Sequence, residues 1–335
     1  MAEDHQTDHH LDHRVDEALR VAQRYYLHGV TMDVIARQMG TSRSTVSRLL
    51  QYARDSGLVE IRVLPPDSRA HPLEQSLAES FGVRAHVAHV PSTATTVERL
   101  ERTAVEAARL LHSIFESDMI IAISWGTMVN AISECLISKM TTNCQFVQLN
   151  GMGFSRTTGG HYANSIMARF GEAFSGYVRQ FPVPVFFDRA ETKVALLEER
   201  SIKSIISLQH SADVVLFNVG TVTDGIPSSP YLNGYFLDDA DFAELAADGA
   251  IGDISTSYIR HDGSHSGIGL NVRTSGPDLD KLRTVKHRIC AVSGDHKIDA
   301  LDAALAGGYI TELVIDELTA GLLLERHRGA AAHHR

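Results

Sequence analysis

Apolar positions up to about residue 60 recur at three and four, and beyond residue 70 they gather into short runs alternating with amphipathic stretches. Leu19, Ala22, Tyr26 and Leu27 share a face and predict a first helix over Val15 to Leu27, ended by Gly29. Val34, Ile35 and Met39 predict a second helix, with Ala36 small enough for close packing. Val46, Leu49, Leu50 and Ala53 predict a third, whose opposite face carries Arg43, Ser44, Ser47, Arg48 and Gln51. Ser42 is placed to cap it and Gly40 to make the bend before it.

Two short helices hinged at a glycine read as a helix-turn-helix, and the alternating run Gly57 to Val63 as the wing strand of a winged variant. A plain hairpin would show a solvated face richer in Glu and Lys. The Ser, Thr and Arg found there suit phosphates and base edges instead. The candidate DNA contacts are Thr31, Ser42, Arg43, Ser44, Thr45, Ser47 and Arg48.

Pro65-Pro66-Asp67-Ser68 punctuates the chain as a linker. After it, helices are expected near Pro72–Ser80, Thr96–Phe115, Thr127–Ser138, His161–Phe174, Asp239–Ala247 and Lys297–Ala306, with helical segments before His210. Strands are expected near Arg84–Val90, Met119–Ser124, Gln145–Leu149, Pro184–Phe187, Asp213–Val219, His287–Ser293 and Leu313–Asp316. Apolar strands alternating with helices predict an α/β fold with an open, mostly parallel sheet. Ligands in such sheets sit at the carboxyl ends of strands, against helix N-termini. That rule gathers Ser124–Thr127, Asn150–Gly153, Asn218–Thr221 and Gly294–Lys297 into one candidate site. The division expected is a tail over 1–13, a winged helix-turn-helix over 14–63, a linker over 64–70, an effector domain over 71–326 and a tail over 327–335.

The net charge of −10 does not exclude DNA, because it is unevenly spread. Residues 1–13 hold four acids and no base, residues 14–63 hold eight Arg against five acids, and the remainder carries about −9. Local sign steers a protein to phosphates, yet a local +3 is modest and points to a homo-oligomer. No apolar run reaches the roughly 18 residues of a membrane span and no signal-peptide core is evident, so a cytoplasmic protein is expected. Cys135, Cys144 and Cys290 have no metal spacing and read as reduced thiols. The histidines of the two ends, His5, His9, His10, His13, His333 and His334, lie in polar stretches read as disordered tails. No metal and no cofactor is expected.

Thr41 to Leu50, Ala163-Asn164, Gly249 to Ile254, Gly294-Asp295-His296-Lys297 before Ala300, and Gly307 to Ile310 occur in an order that resembles the SorC family of sugar-binding transcriptional regulators. The resemblance runs from about Val15 to Leu324. It implies a Rossmann-like effector domain related to sugar-phosphate isomerases, sensing a sugar or polyol that is commonly phosphorylated. It also implies effector-binding roles for Ser124, Trp125, Gly126, Thr127, Asn150, Gly151, Met152, Asn164, Asp253 and Lys297. Gly126 and Thr127 match the phosphate-facing loop, Asp253 an acid that binds hydroxyls and Lys297 a lysine near the ligand. Trp125 and Met128 stand where the family commonly has small or hydroxyl residues, and Asn150 where some members have Arg, so fewer phosphate-binding groups are on offer.

Each residue also has a plainer reading: turn glycines, a helix cap at Thr127, a turn acid at Asp253, a solvated lysine at Lys297 and a core tryptophan at Trp125. Two enzyme readings compete with a regulator. Ala122-Ile123-Ser124-Trp125-Gly126 approaches a nucleophile elbow, with Asp253 and His287 or His296 downstream, but its first glycine is Ala and no oxyanion loop precedes it. A sugar-phosphate isomerase shares the fold, and fold alone does not give function. Effector identity, its phosphorylation, the operator and the sign of regulation are not legible.

Overall fold

The computed structural model describes residues 15–27, 30–59, 71–152, 159–222 and 237–333, in two compact units, Met1–Arg69 and Ala70–Arg335. The expected tail 1–13, Gly29, wing residues 60–63, the linker Pro65–Ser68, Gly153 and Phe154 lie outside the described residues.

In the first unit, helix α1 (15–22) runs into a π-helical turn, Gln23–Leu27, and is followed by α2 (Met32–Gln38) and α3 (Arg43–Asp55). Its core joins Ala18, Val21, Ala22, Ile35, Ala36, Val46, Leu49, Leu50 and Ala53. Leu19, expected inward, is 37% exposed, because the buried stripe of α1 falls on 18, 21 and 22. Gly40 turns the chain at φ +63°, and the Thr41 amide donates to the Ala36 carbonyl at 2.9 Å. Ser42 Oγ then accepts from the Thr45 amide at 3.1 Å, so α3 starts capped.

In the second unit, the described residues form ten strands in two sheets. β1 (Arg84–Ala88), β2 (Ile120–Ile123), β3 (Gln145–Gln148), β4 (Tyr177–Arg179), β5 (Val214–Phe217), β9 (His287–Val292) and β10 (Glu312–Asp316) make a parallel sheet in the order β1-β10-β9-β5-β2-β3-β4. β6 (Val219–Thr221), β7 (Gly252–Ile254) and β8 (Ser257–Ile259) make a small antiparallel sheet.

Both faces of the large sheet are covered, which explains its continuous apolar strands. On β2, Ile121 and Ile123 join one core, which includes residues of α5 (Thr96–Ile114), α6 (Thr127–Glu134) and α7 (Gly159–Phe174). Ala122 joins the other core, with Leu77 of α4 (Pro72–Phe81) and residues of the helices Ile298–Ala306 and Glu317–His333. β5 and β10 split their side chains between the two cores in the same way. From β2 the chain moves outward to β3 and β4, then returns through α8 (Ala190–Leu197) and α9 (Arg200–His210) to β5 on the other side of β2. Strand order therefore reverses between β2 and β5, and a crevice opens at their carboxyl ends.

Three differences from expectation have physical reasons. The run Pro184–Phe187 makes two isolated bridges, Met152 with Pro184 and Phe186 with Thr274, and no ladder strand. Pro182 and Pro184 cannot donate to a ladder, and the sheet edge is taken by the unpredicted Tyr177–Arg179. The last helix continues to His333, where a tail was expected from 327, helped by three consecutive alanines of high helix propensity. The β7–β8 hairpin lies where sequence offered no element, since its three-residue strands are too short to show a period.

Phe146 packs against Phe115, Phe170 and Phe174 with ring centroids 5.9 Å apart in each case. Phe146→Ala should lower the unfolding free energy of this unit by about 3–5 kcal/mol in urea titration. Tyr177→Ala, on an edge residue 60% exposed, should cost no more than about 0.5 kcal/mol. Equal losses would contradict this burial pattern.

Candidate effector and DNA sites

The crevice between β2 and β5 holds a cavity of about 310 Å³, at the small end of ligand pockets and suited to a small molecule. Its walls come from several strand ends at once. The β2–α6 turn supplies Trp125, Gly126, Thr127 and Met128, the end of β3 supplies Asn150, and the β5–β6 junction supplies Asn218. The β7–β8 hairpin brings Asp253, Ser255 and Thr256, the end of β9 brings Ser293, and the following loop brings His296 and Lys297. The first turns of α5 close the mouth with Thr96, Val97 and Leu100.

Local backbone fixes these groups. Gly126 caps α6 at φ +149°, and an added Cβ would sit 3.2 Å from Asn218 Oδ1, so glycine lets the two loops meet. No side chain caps α6, and the amides of its first turn face the crevice end of the helix, where the dipole favours an anion. Thr127 is hydrogen-bonded to the Tyr162 phenol, whose pKa is pushed up to about 12 by burial and by Glu134. The hairpin tip places Ser255 and Thr256 at φ +50° and +73°, a left-handed pair without glycine. Asp253 Oδ1 accepts the Thr256 amide at 2.7 Å and so steadies that strained turn. Thr274 Oγ1 lies 3.0 Å from Thr256 Oγ1 and braces it from behind.

Three buried atoms of cavity-lining residues, Asn150 Oδ1, Ser255 Oγ and Ser293 Oγ, have no hydrogen-bond partner among the described residues. Leaving such groups unpaired costs about 1–3 kcal/mol each. Burial holds the Lys297 ammonium below the ordinary lysine value, against the opposing pull of Asp253. The apolar part of the lining comes from Val97, Leu100, Trp125, Met128, Val219, Ala291 and Val292.

Six of the ten expected effector residues line the cavity: Trp125, Gly126, Thr127, Asn150, Asp253 and Lys297. Four do not. Ser124 is buried at the end of β2, its amide donating to the Leu216 carbonyl at 3.0 Å. Gly151 is a packing glycine, since an added Cβ would lie 2.4 Å from Ser275 Oγ and 2.5 Å from the Pro184 carbonyl. Its carbonyl accepts from Trp125 Nε1 at 2.7 Å, which fixes the indole as part of the wall. Met152 bridges to Pro184, and Asn164, on α7, is not among the lining residues. Sequence reasoning did not single out Ser255, Thr256, Ser293 or Thr96; it had Asn218 only as a member of a loop and His296 only as part of a motif and of the hydrolase alternative. The alternation of Asp253 with Ser255 and the helix-start pair Thr95-Thr96 were the available signals.

In the first unit, Thr31, Ser42, Arg43, Ser44, Ser47 and Arg48 are exposed and Thr45 is half-buried. The first turn of α3 carries no acid, so its N-terminus suits a phosphate. Arg43 lies 3.8 Å from Asp33, an exposed pair that DNA phosphates can replace. Elsewhere, His71, His89 and Glu317 bring donor atoms within 4.8 Å of one another. His71 Nδ1 accepts the Leu73 amide, so its Nε2 bears the proton and faces Glu317. That is a carboxylate clasped by two imidazoles, with no lone pair left on His71 for a metal.

Comparison with known proteins gives this geometry its context. Residues 67–325 match the family model of a sugar-binding domain, and residues 24–70 match that of the MarR family. The deoxyribonucleoside regulator of Bacillus subtilis (strain 168) is 33% identical over 310 residues, 92% of this chain and 96% of that protein. The chain belongs to the SorC-type sugar-binding transcriptional regulators. The full-length sorbitol operon regulator SorC from Klebsiella pneumoniae superposes with a TM-score of 0.68 at 26% identity, covering 92% of this chain and 99% of that one. A domain of a possible sugar-binding transcriptional regulator from Arthrobacter aurescens TC1 does so with a TM-score of 0.72 at 42% identity, covering 78% and 100%. This SorC-type regulator thus joins a DNA-binding helix-turn-helix to a sugar-binding α/β domain. No helix among its described residues is long and apolar enough to cross a membrane.

A lysine whose pKa is lowered by folding binds fewer protons folded than unfolded between its lowered value and 10.5. Stability therefore rises with pH across that window, and the burial cost is fully present below the lowered value. Lys297→Met should raise the melting temperature of the ligand-free protein at pH 7 and flatten the rise below pH 10.5. A lower melting temperature at pH 7 would contradict the assigned burial of the ammonium.

Proposed function

We propose that the cavity binds a small hydroxylated molecule with one anionic end, a phosphorylated sugar or polyol, and that its occupancy sets operator affinity. The observation that carries this reading is the convergence of unpartnered Asn150, Ser255 and Ser293 oxygens on a cavity that also holds a desolvated lysine. Lys297 and the α6 N-terminus at Gly126 and Thr127 take the anion, while Asp253 and the Asn150 amide take hydroxyls. A single lysine and no arginine among the lining residues fit one phosphate rather than two. The apolar wall of Trp125, Met128 and Leu100 covers carbon faces of the ligand. That relatives are named for deoxyribonucleosides and for sorbitol supports a carbohydrate or polyol catabolic operon as the target.

In this reading the protein acts in the cytoplasm as a homodimer or homotetramer and turns nothing over. Ser124, the elbow serine of the hydrolase alternative, has a buried Oγ with no hydrogen-bond partner among the described residues, so no base activates it there. Residues 14–63 serve as the DNA module and 71–326 as the effector module. Arg43 and Arg48 read or anchor DNA from the exposed face of α3.

Lys297→Ala and Asp253→Ala should abolish the effector response, worth about 1–3 kcal/mol of coupling, and leave ligand-free operator binding intact. Gel-shift titration with a panel of sugar and polyol phosphates tests this; wild-type responses in both variants would place the effector elsewhere. Arg43→Ala and Arg48→Ala should each weaken operator binding by about 1–3 kcal/mol at fixed salt, with the effector cavity undisturbed. Release of phosphate or isomerised product from the same panel would overturn the non-enzymatic reading.

A further inference from the structure

Arg99 sits one side chain behind the cavity. Its α5 neighbours Thr96, Val97 and Leu100 line the cavity and Arg99 does not, yet its side chain is only 10% exposed. It donates to Asp316 Oδ1 at 3.0 Å and Oδ2 at 3.4 Å, to Thr319 Oγ1 at 2.6 Å and to Asp295 Oδ1 at 2.7 Å. Thr319 Oγ1 also accepts the Gly294 amide at 3.0 Å and donates to Asp316 Oδ2, so the hydroxyl is saturated and oriented. Gly294 and Asp295 open the loop that delivers His296 and Lys297 to the cavity, and the Lys297 amide closes that loop on the Gly294 carbonyl at 3.0 Å.

We infer that Arg99 is a positioning residue for effector recognition: through Asp295 it pins the Gly294–Lys297 loop so that the Lys297 ammonium faces the ligand. The inference rests on the reading of Lys297 as the anion-binding group. Arg99 is suited to the role because its planar fork engages the fixed carboxylate of Asp316 and the loop carboxylate of Asp295 at once. Asp316 is fully buried and held by the Leu318 and Thr319 amides, which makes it the rigid end of the clamp. Asp295 is the adjustable end, its side chain 60% exposed. The same linkage runs from β10 into the first turn of the last helix, so the loop is tied to the sheet as well as to its own backbone.

The test uses the full-length, ligand-free protein and Asp295→Asn, an exposed change that leaves the Arg99–Asp316 pair intact. Lysine acetylation followed by peptide mass spectrometry compares Lys297 with Lys193, another half-buried lysine, whose Nζ donates to the Asn271 carbonyl at 3.2 Å. Labelling of Lys297 should rise about tenfold, the scale of one charge-assisted hydrogen bond, with Lys193 unchanged. No rise at Lys297, or an equal rise at both, overturns the inference. Arg99→Lys, which cannot fork, should raise Lys297 labelling in the same selective way. Inorganic phosphate, titrated calorimetrically, adds a test of sign. Removing a carboxylate near an anion site strengthens anion binding by Coulomb's law alone, whereas loss of positioning weakens it. Weaker phosphate binding in Asp295→Asn supports the inference and stronger binding overturns it. If Lys297→Met and wild type bind phosphate alike, the anion assignment falls, and the labelling result still decides the role of Arg99.

Discussion

The reversal of strand order between β2 and β5 is the constraint on which the rest of this molecule depends. A parallel sheet needs crossovers, and here the chain leaving β2 runs to β3 on one side while the chain leaving β5 leads to β9 on the other. No side chain layer covers the carboxyl ends of those two strands, so a crevice remains that loops must wall in. The walls are consequently made of turns, which can present backbone amides, hydroxyls and strained dihedrals that a strand or helix interior would not tolerate. Most of the polar groups in the site, such as Thr127, Asn150, Asn218 and Ser293, are placed by where a strand stops.

Much of this architecture was legible because period and position carry it. The apolar runs at Ile120–Ile123, Val214–Phe217 and Glu312–Asp316 are buried on both faces, and such strands announce themselves in sequence. The helix-turn-helix was legible for a different reason: Gly40, Ser42 and the Val46, Leu49, Leu50, Ala53 stripe agree on one local structure. The site was legible only as far as strand-end loops could be counted. Asp253 and Lys297 were found by motif, but Ser255 and Thr256 reach the cavity through a left-handed turn that neither residue favours. Ser124, Gly151, Met152 and Asn164 share those loops with true lining residues, and one-dimensional spacing cannot say which side chains a turn directs inward. The edge strand Tyr177–Arg179 is three residues long and carries no pattern to read.

Polar groups at the cavity divide into those already satisfied and those that are not. Asp253 holds the hairpin amide, Thr127 is tied to Tyr162, and the loop of Lys297 is anchored by Thr319. Asn150, Ser255 and Ser293 keep buried oxygens without partners. A fold that satisfied all of them internally would be more stable and would recognise nothing. The arrangement resembles a preorganised site, in which the cost of desolvating the recognising groups is met during folding rather than during binding.

Trp125 is the one tryptophan of the chain, and its indole N–H is committed to the Gly151 carbonyl while its ring forms cavity wall. With its donor spoken for, the indole cannot swing to greet a ligand, so its emission reports on the polarity and solvent content of the space it faces. Nine tyrosines elsewhere contribute at shorter wavelength and can be left unexcited. The protein therefore carries a built-in optical gauge of its own cavity, seated in a wall rather than attached to a moving part. Filling that space changes the gauge directly, before any DNA is present.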